Sequence, residues 1–104
     1  MGKPENRVEK KLCEGVKALG GRAYKFVSPG SSGVPDRVIC LPDGRTIFAE
    51  LKAPGRVLTK QQEHRVGELC RMKQKVLVLR SVHEVEAFLT KIREELLCGE
   101  VHTP

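Results

Sequence analysis

Three ionisable residues, two acids and one lysine, lie at the ends of two mostly apolar runs. Asp36 follows Pro35, and Glu50 and Lys52 lie two residues apart at the end of a mostly apolar run. Carboxylates that converge repel each other and favour a hard divalent cation such as Mg²⁺, which prefers oxygen ligands. The cation polarises a phosphoryl group and activates water, while a nearby lysine stabilises developing negative charge.

The turn between these residues predicts which of them face each other. The segment Leu41-Pro42-Asp43-Gly44-Arg45 has the residues of a three-residue hairpin loop with a glycine bulge. The cross-strand pairs would then be Leu41 with Arg45, Ile39 with Ile47, Arg37 with Ala49, and Asp36 with Glu50. Directly opposed residues have Cβ atoms about 4.5–5.5 Å apart, so this register brings the two carboxylates together. A shift of one residue would move Glu50 to the other face of the sheet.

Hydrophobic periodicity predicts seven elements in the order α-β-β-β-α-β-α. Helices are expected over 5–19, over 59–72 and from Ser81 onward, and strands over 22–27, 37–41, 46–51 and 76–79. Thr59 with Gln62, and Ser81 with Glu84, have the spacing of capping boxes. This order favours an α/β fold with a mixed β-sheet flanked by helices, and the tail 99–104 is expected to be disordered.

Composition limits the functions that remain. The chain has 104 residues with no internal repeat or linker, which predicts one domain over 1–104 with its core in about 5–96. A net charge of +6 favours nucleic acid as partner, whereas 4% aromatic residues argue against stacking of single-stranded bases. No apolar run reaches the roughly 20 residues of a membrane span, so we expect no membrane partner and a cytoplasmic location. Four cysteines without a CxxC pair are expected to be reduced thiols, not zinc ligands.

These motifs resemble the PD-(D/E)xK nuclease superfamily and, more closely, the VRR-NUC (virus-type replication-repair nuclease) domain family. Gly33-Val34-Pro35-Asp36-Arg37 is similar to that family's GxPD segment, and Glu50-Leu51-Lys52-Ala53-Pro54 is similar to its ExK segment with the following turn. The resemblance covers roughly residues 5–89. It implies a restriction-endonuclease-like core and a Mg²⁺- or Mn²⁺-dependent endonuclease, a hydrolase that acts on DNA in repair or replication.

The resemblance also implies partners and residue roles. Short members of this kind look phage- or prophage-like and are expected to act in a bacterial host or phage-infected cell as homodimers on branched DNA, plausibly as Holliday junction resolvases. The implied catalytic residues are Asp36, Glu50, Lys52 and Gln62. The implied metal ligands are Glu9, Asp36, Glu50 and the backbone carbonyl of Leu51, for one or two ions. The candidate DNA contacts are Lys25, Arg37, Arg56, Lys60 and Arg65.

Several alternatives stay open at this point. Glu5 shares a helical face with Glu9 and is the alternative helix acid, and Gln61 is the alternative to Gln62. Glu9-Lys10-Lys11 is a second ExK tripeptide, so ExK alone is not specific. The protein could instead be a non-catalytic DNA-binding module, or a component of a phage replication complex that binds a protein and cuts nothing. The loop Ser28–Gly33 leads into Asp36 and is expected to close over DNA.

Overall fold

The computed structural model describes residues 4–101 and has the predicted element order. The helices are α1 (Pro4–Ala18), α2 (Lys60–Arg71) and α3 (Val82–Val101), and the strands are β1 (Arg22–Lys25), β2 (Arg37–Cys40), β3 (Thr46–Leu51) and β4 (Val76–Leu79). Helix α3 continues through Gly99 to Val101, where the sequence predicts a disordered tail. A single glycine disfavours a helix by only about 1 kcal/mol and does not end it. The rest of the expected tail, 102–104, lies outside the described residues.

The four strands form one mixed sheet in the order β1-β2-β3-β4. The pairs β1–β2 and β2–β3 are antiparallel, and β3–β4 is parallel. Parallel neighbours need a crossover connection, which α2 provides between β3 and β4. The prediction of a mixed α/β sheet flanked by helices is therefore confirmed.

The hairpin between β2 and β3 has the predicted register. Arg37 pairs with Ala49, and Ile39 pairs with Ile47. In the turn, the Leu41 N–H donates to the Arg45 carbonyl at 2.9 Å, and the Gly44 N–H donates to the Leu41 carbonyl at 3.0 Å. Gly44 has φ +94°, which is the conformation that a glycine bulge requires.

One face of the sheet packs against α1 and α3. These two helices contact each other and contribute Val8, Leu12, Val16, Val85, Leu89 and Ile92 to the buried core. Strand β3 contributes Ile47, Ala49 and Leu51 to the same core. Side chains alternate along a strand, so Glu50 points to the opposite face from Ala49 and Leu51. No helix within the described chain is both long enough and apolar enough to cross a membrane.

We expect the core at Leu12 to dominate stability. Leu12 is fully buried, so Leu12→Ala should lower the free energy of unfolding by roughly 2–5 kcal/mol through lost burial and the cavity left behind. Urea denaturation measures this change. Leu97→Ala is the control, because Leu97 is 53% exposed on α3 and its truncation should change stability by about 0.5 kcal/mol or less. Similar losses in the two variants would contradict this assignment of the core.

Candidate active site

The carboxylate of Asp36 is fixed at the end of the hairpin by a backbone hydrogen bond. The Leu51 N–H donates to Asp36 Oδ2 at 2.8 Å. The Asp36 carbonyl accepts from the Phe26 N–H at 2.8 Å and so continues the pairing of β1 with β2. Pro35, which is buried, has a fixed φ and restricts the approach of the chain to this point. Asp36 is therefore held directly beside the Glu50-Leu51-Lys52 segment.

Glu50 is a buried acid without a hydrogen-bond donor. Its side chain is 1% exposed, and neither carboxyl oxygen has a partner among the described residues. Burial, and then the neighbouring Asp36 carboxylate, raise the pKa of Glu50 to about 8, while the Lys52 ammonium opposes the shift. An unpaired buried charge is strongly unfavourable, so this position favours either a proton or a cation.

The alternation of side chains along β3 explains which face of the sheet carries Glu50. Ala49 and Leu51 anchor the strand in the core on one face, which directs Glu50 and Lys52 to the other. The Lys52 N–H donates to the Leu79 carbonyl at 3.0 Å, so pairing with β4 continues past the end of β3. The backbone of the ExK segment is thus held on both sides, by Asp36 and by β4.

Glu9 does not join this carboxylate pair in the structure. Its Oε1 lies 3.0 Å from Arg37 Nη2, and Arg37 Nη1 donates to the Ala23 carbonyl at 3.1 Å. Arg37 pairs with Ala49 and shares its face of the sheet, opposite to Glu50. Within residues 4–101, no group of three or more His, Cys, Asp or Glu side chains is placed to hold a metal ion. The assignment of Glu9 as a metal ligand stays a prediction, as does that of Glu5, which is exposed.

Gln62 has a structural role at the start of α2. Its Oε1 accepts from the Thr59 N–H at 2.9 Å, and Thr59 Oγ1 accepts from the Gln62 N–H at 3.2 Å. The capping box predicted from the sequence is therefore formed. The side-chain amide nitrogen of Gln62 makes no hydrogen bond within the described part of the chain, so a donor remains available. Gln61 is exposed.

The segment before Asp36 packs directly on this helix start. Gly33 has φ +85°, and a Cβ there would lie 2.6 Å from backbone atoms of Gln61. Arg65 Nε donates to the Ser32 carbonyl at 2.9 Å and ties the same loop to α2. Gly33 is therefore a positioning residue, a role that its sequence context does not predict. The glycine in Gly33-Val34-Pro35-Asp36 was visible, but its contact with α2 was not.

The five candidate DNA contacts fall into two groups. Arg37 is paired with Glu9, and Arg65 contacts Ser32 and Glu68. Lys25, Arg56 and Lys60 are exposed and form no ion pair with any described residue. Only this second group is free to meet a phosphate without first losing a protein contact.

The fold and the carboxylate pair define a nuclease domain of the restriction-endonuclease-like class. No protein-family model matches the chain. A solved structure described as a VRR_NUC domain superposes with a TM-score of 0.81 at 29% identity, covering 86% of this chain and 97% of that one. The chain is also 48% identical over 77 residues to "Putative nuclease p44" of Acyrthosiphon pisum secondary endosymbiont phage 1, covering 74% of this chain and 83% of the relative. The chain belongs to the VRR-NUC family of nucleases and resembles its short phage members.

We expect Glu50→Gln to stabilise the metal-free protein at alkaline pH. Because the folded pKa of Glu50 is raised from 4.5 to about 8, the folded state holds a proton that the unfolded chain releases. The contribution of Glu50 to the free energy of unfolding therefore falls as the pH rises from 4.5 to about 8. Glutamine has nearly the same shape without the charge, so near pH 8 the variant should gain on the order of 1–3 kcal/mol.

The measurement is urea denaturation in EDTA between pH 4.5 and 8. The control is Glu14→Gln, since Glu14 is exposed on α1 and should give the wild-type pH profile. The interpretation of Glu50 fails if Glu50→Gln and wild type lose stability equally across this pH range.

The ion pair of Glu9 makes a separate prediction about stability. Arg37 has a side chain only 15% exposed, so Glu9→Gln would leave a mostly buried guanidinium without its carboxylate. We expect a loss of about 1 kcal/mol, with Glu14→Gln as an exposed control on the same helix. Urea denaturation with and without Mg²⁺ measures both variants. A Glu9→Gln protein of wild-type stability that has lost its response to Mg²⁺ would instead identify Glu9 as a metal ligand.

Proposed function

We propose that the protein is a Mg²⁺- or Mn²⁺-dependent endodeoxyribonuclease that cuts branched DNA as a homodimeric Holliday junction resolvase. The observation that carries the proposal is the buried Glu50 carboxyl, which has no donor among the described residues and lies beside a second carboxyl fixed by the backbone. The similarity to a phage protein named as a nuclease supports nucleic-acid hydrolysis.

The residues present fit a hard divalent cation. Asp36, Glu50 and the Leu51 carbonyl would hold it, because oxygen ligands and one or two carboxylates are what Mg²⁺ selects. Bound there, the cation would polarise a phosphoryl group and lower the pKa of a coordinated water. Glu9 would contribute only after leaving Arg37, to which it is joined at 3.0 Å.

The protein supplies orientation and positive charge around that position. The Leu51 N–H holds Asp36 Oδ2, which fixes the direction of the carboxylate before any ligand arrives. Lys52 carries three N–H donors and favours the ionised form of Glu50, and it would stabilise negative charge on the phosphorus oxygens in the transition state. The free amide N–H groups of Gln62 would donate to a phosphate oxygen or to the attacking water.

Recognition of DNA would rest on phosphate contacts. The exposed cations Lys25, Arg56 and Lys60 have no ion-pair partner in the described chain and are available to phosphates. Aromatic residues make up only 4% of the chain, which is too few for a surface on which bases stack. Such contacts respond to the shape of DNA more than to its sequence, which suits a branched substrate. A two-fold homodimer would place two carboxylate pairs on one junction and allow paired symmetric cuts in the cytoplasm of the host cell.

We expect Lys52→Ala to slow cleavage strongly while DNA binding is retained. Loss of a group that stabilises transition-state charge should lower the rate by roughly 10²–10³-fold. Labelled four-way junction, flap, linear duplex and single-stranded DNA are each incubated with Mg²⁺, Mn²⁺ or EDTA. The matched control is Lys11→Ala, which removes the lysine of the second ExK tripeptide, a surface residue paired with Glu86.

Cleavage of the junction at paired symmetric positions, absent in EDTA and strongly slowed in Lys52→Ala, would support the resolvase. Light scattering of the free protein, expected to give the mass of two chains, checks the homodimer independently. Tight DNA binding without cleavage of any substrate in either metal would overturn the enzyme and favour a non-catalytic binding module.

A further inference from the structure

A groove of about 600 Å³ lies between α3 and the edge of the sheet formed by β3 and β4. Its floor is apolar and includes Ile47, Leu77 and Phe88. Ile47 is buried, whereas Leu77 and Phe88 are half-buried and face the open side of the groove. Its volume lies within the roughly 300–1,000 Å³ of ligand pockets, so the groove has room for side chains of a partner.

The rim of this groove is positively charged. Arg45, Lys73, Lys75 and Lys91 line it, against one carboxylate, Glu95. Arg45 is already neutralised, since it lies 2.7 Å from Glu95 and 2.8 Å from Asp43. Lys73, Lys75 and Lys91 are exposed and form no ion pair with any residue that the structure describes. The groove therefore presents three unneutralised ammonium groups around an apolar floor.

Lys73 occupies a backbone conformation that ordinarily selects glycine. Its φ is +65°, the single positive φ among the described non-glycine residues. It directly follows the C-cap of α2, Met72. A side chain at such a position is unfavourable by roughly 1 kcal/mol relative to glycine. A cationic side chain is thus present at the rim although glycine would favour the fold.

The groove borders a free edge of the sheet. Strand β4 is the last strand in the order, and it hydrogen-bonds β3 through Lys75 and Leu79 carbonyls. Backbone groups of the alternate residues Val76 and Val78 therefore point away from β3. An extended segment added beside β4 would place every second side chain over Leu77 and the exposed Ala87 of α3.

We propose that this groove docks an acidic, apolar, extended segment of a partner protein, which pairs with β4 and neutralises the lysine rim. The proposal goes beyond the proposed nuclease function, because Leu77 and Leu79 of the groove share the sheet face of Ala49 and Leu51, whereas the Glu50 side chain points to the opposite face. A second copy of the chain complements this rim poorly, since a two-fold axis would bring the same lysines together. Duplex DNA would match the charge but not the apolar floor.

The probe is a fluorescein-labelled synthetic peptide that alternates valine and glutamate, with a valine–lysine peptide of the same length as its opposite. Fluorescence anisotropy measures affinity for the full chain, and ¹⁵N–¹H spectra locate the site. We expect saturable binding of the acidic peptide alone, with shifts at Leu77, Val78 and Ala87 and none at Asp36 or Gln62.

Three variants test the contacts without disturbing the core. Lys73→Gly relieves the positive φ, Ala87→Glu places an acid on an exposed helix position, and Lys91→Gln removes one ammonium group. Each should weaken the acidic peptide about tenfold, whereas Lys17→Gln, an exposed lysine on α1, should not. DNA cleavage, if present in wild type, should be unchanged in all four.

Other outcomes overturn the proposal. Absence of saturable binding, or equal binding of the valine–lysine peptide, removes the charge complementarity on which it rests. If Ala87→Glu converts a dimer to a monomer in light scattering, a second copy covers the groove. If Lys73→Gly and Lys91→Gln weaken duplex DNA and not the peptide, the rim belongs to the DNA surface.

Discussion

The register between β2 and β3 is the constraint on which the site depends. Gly44, with φ +94°, fixes the turn, and the pairing of Ile39 with Ile47 fixes the core face. Together they leave one arrangement at the far end of the hairpin, in which Asp36 meets the backbone of Leu51 at 2.8 Å. A slip of one residue would send Glu50 into the layer that α1 and α3 occupy and expose Ala49 and Leu51. The apolar core therefore holds the acidic pair in register.

The same constraint forces an unfavourable charge into the fold. Glu50 is as buried as the residues around it, but its oxygens find no donor in the described chain. Folding tolerates this because Ala49 and Leu51 are anchored in the core on either side. The raised pKa of Glu50 is the result, and a cation would remove the conflict that raises it. A buried acid without a hydrogen-bond donor lowers stability, and such groups are expected where they serve ligand binding or catalysis.

The sequence predicts the features that depend on the chemistry of neighbouring residues and on the periodicity of helices and strands. The turn residues gave the hairpin register, the Thr59–Gln62 spacing gave the capping box, and alternation gave the shared face of Glu50 and Lys52. It does not predict contacts between elements that are distant in the chain. The rotation of α1 that joins Glu9 to Arg37, and the close approach of Gly33 to Gln61, both depend on how helices settle on the sheet. Helical period identifies an apolar face but not the partner of a polar side chain at its edge.

The sequence also determines the net charge of the chain, but not where the charged side chains lie on its surface. The total of +6 favours nucleic acid, but the structure distributes it. Lys73, Lys75 and Lys91 line the groove on the face of the sheet that carries Leu77, whereas the Glu50 side chain points to the opposite face. A ligand of the groove and a ligand of the carboxylate pair would therefore approach the sheet from opposite sides. Recruitment of DNA to the carboxylate pair then depends on the cations that share its face, and not on the total charge of the chain.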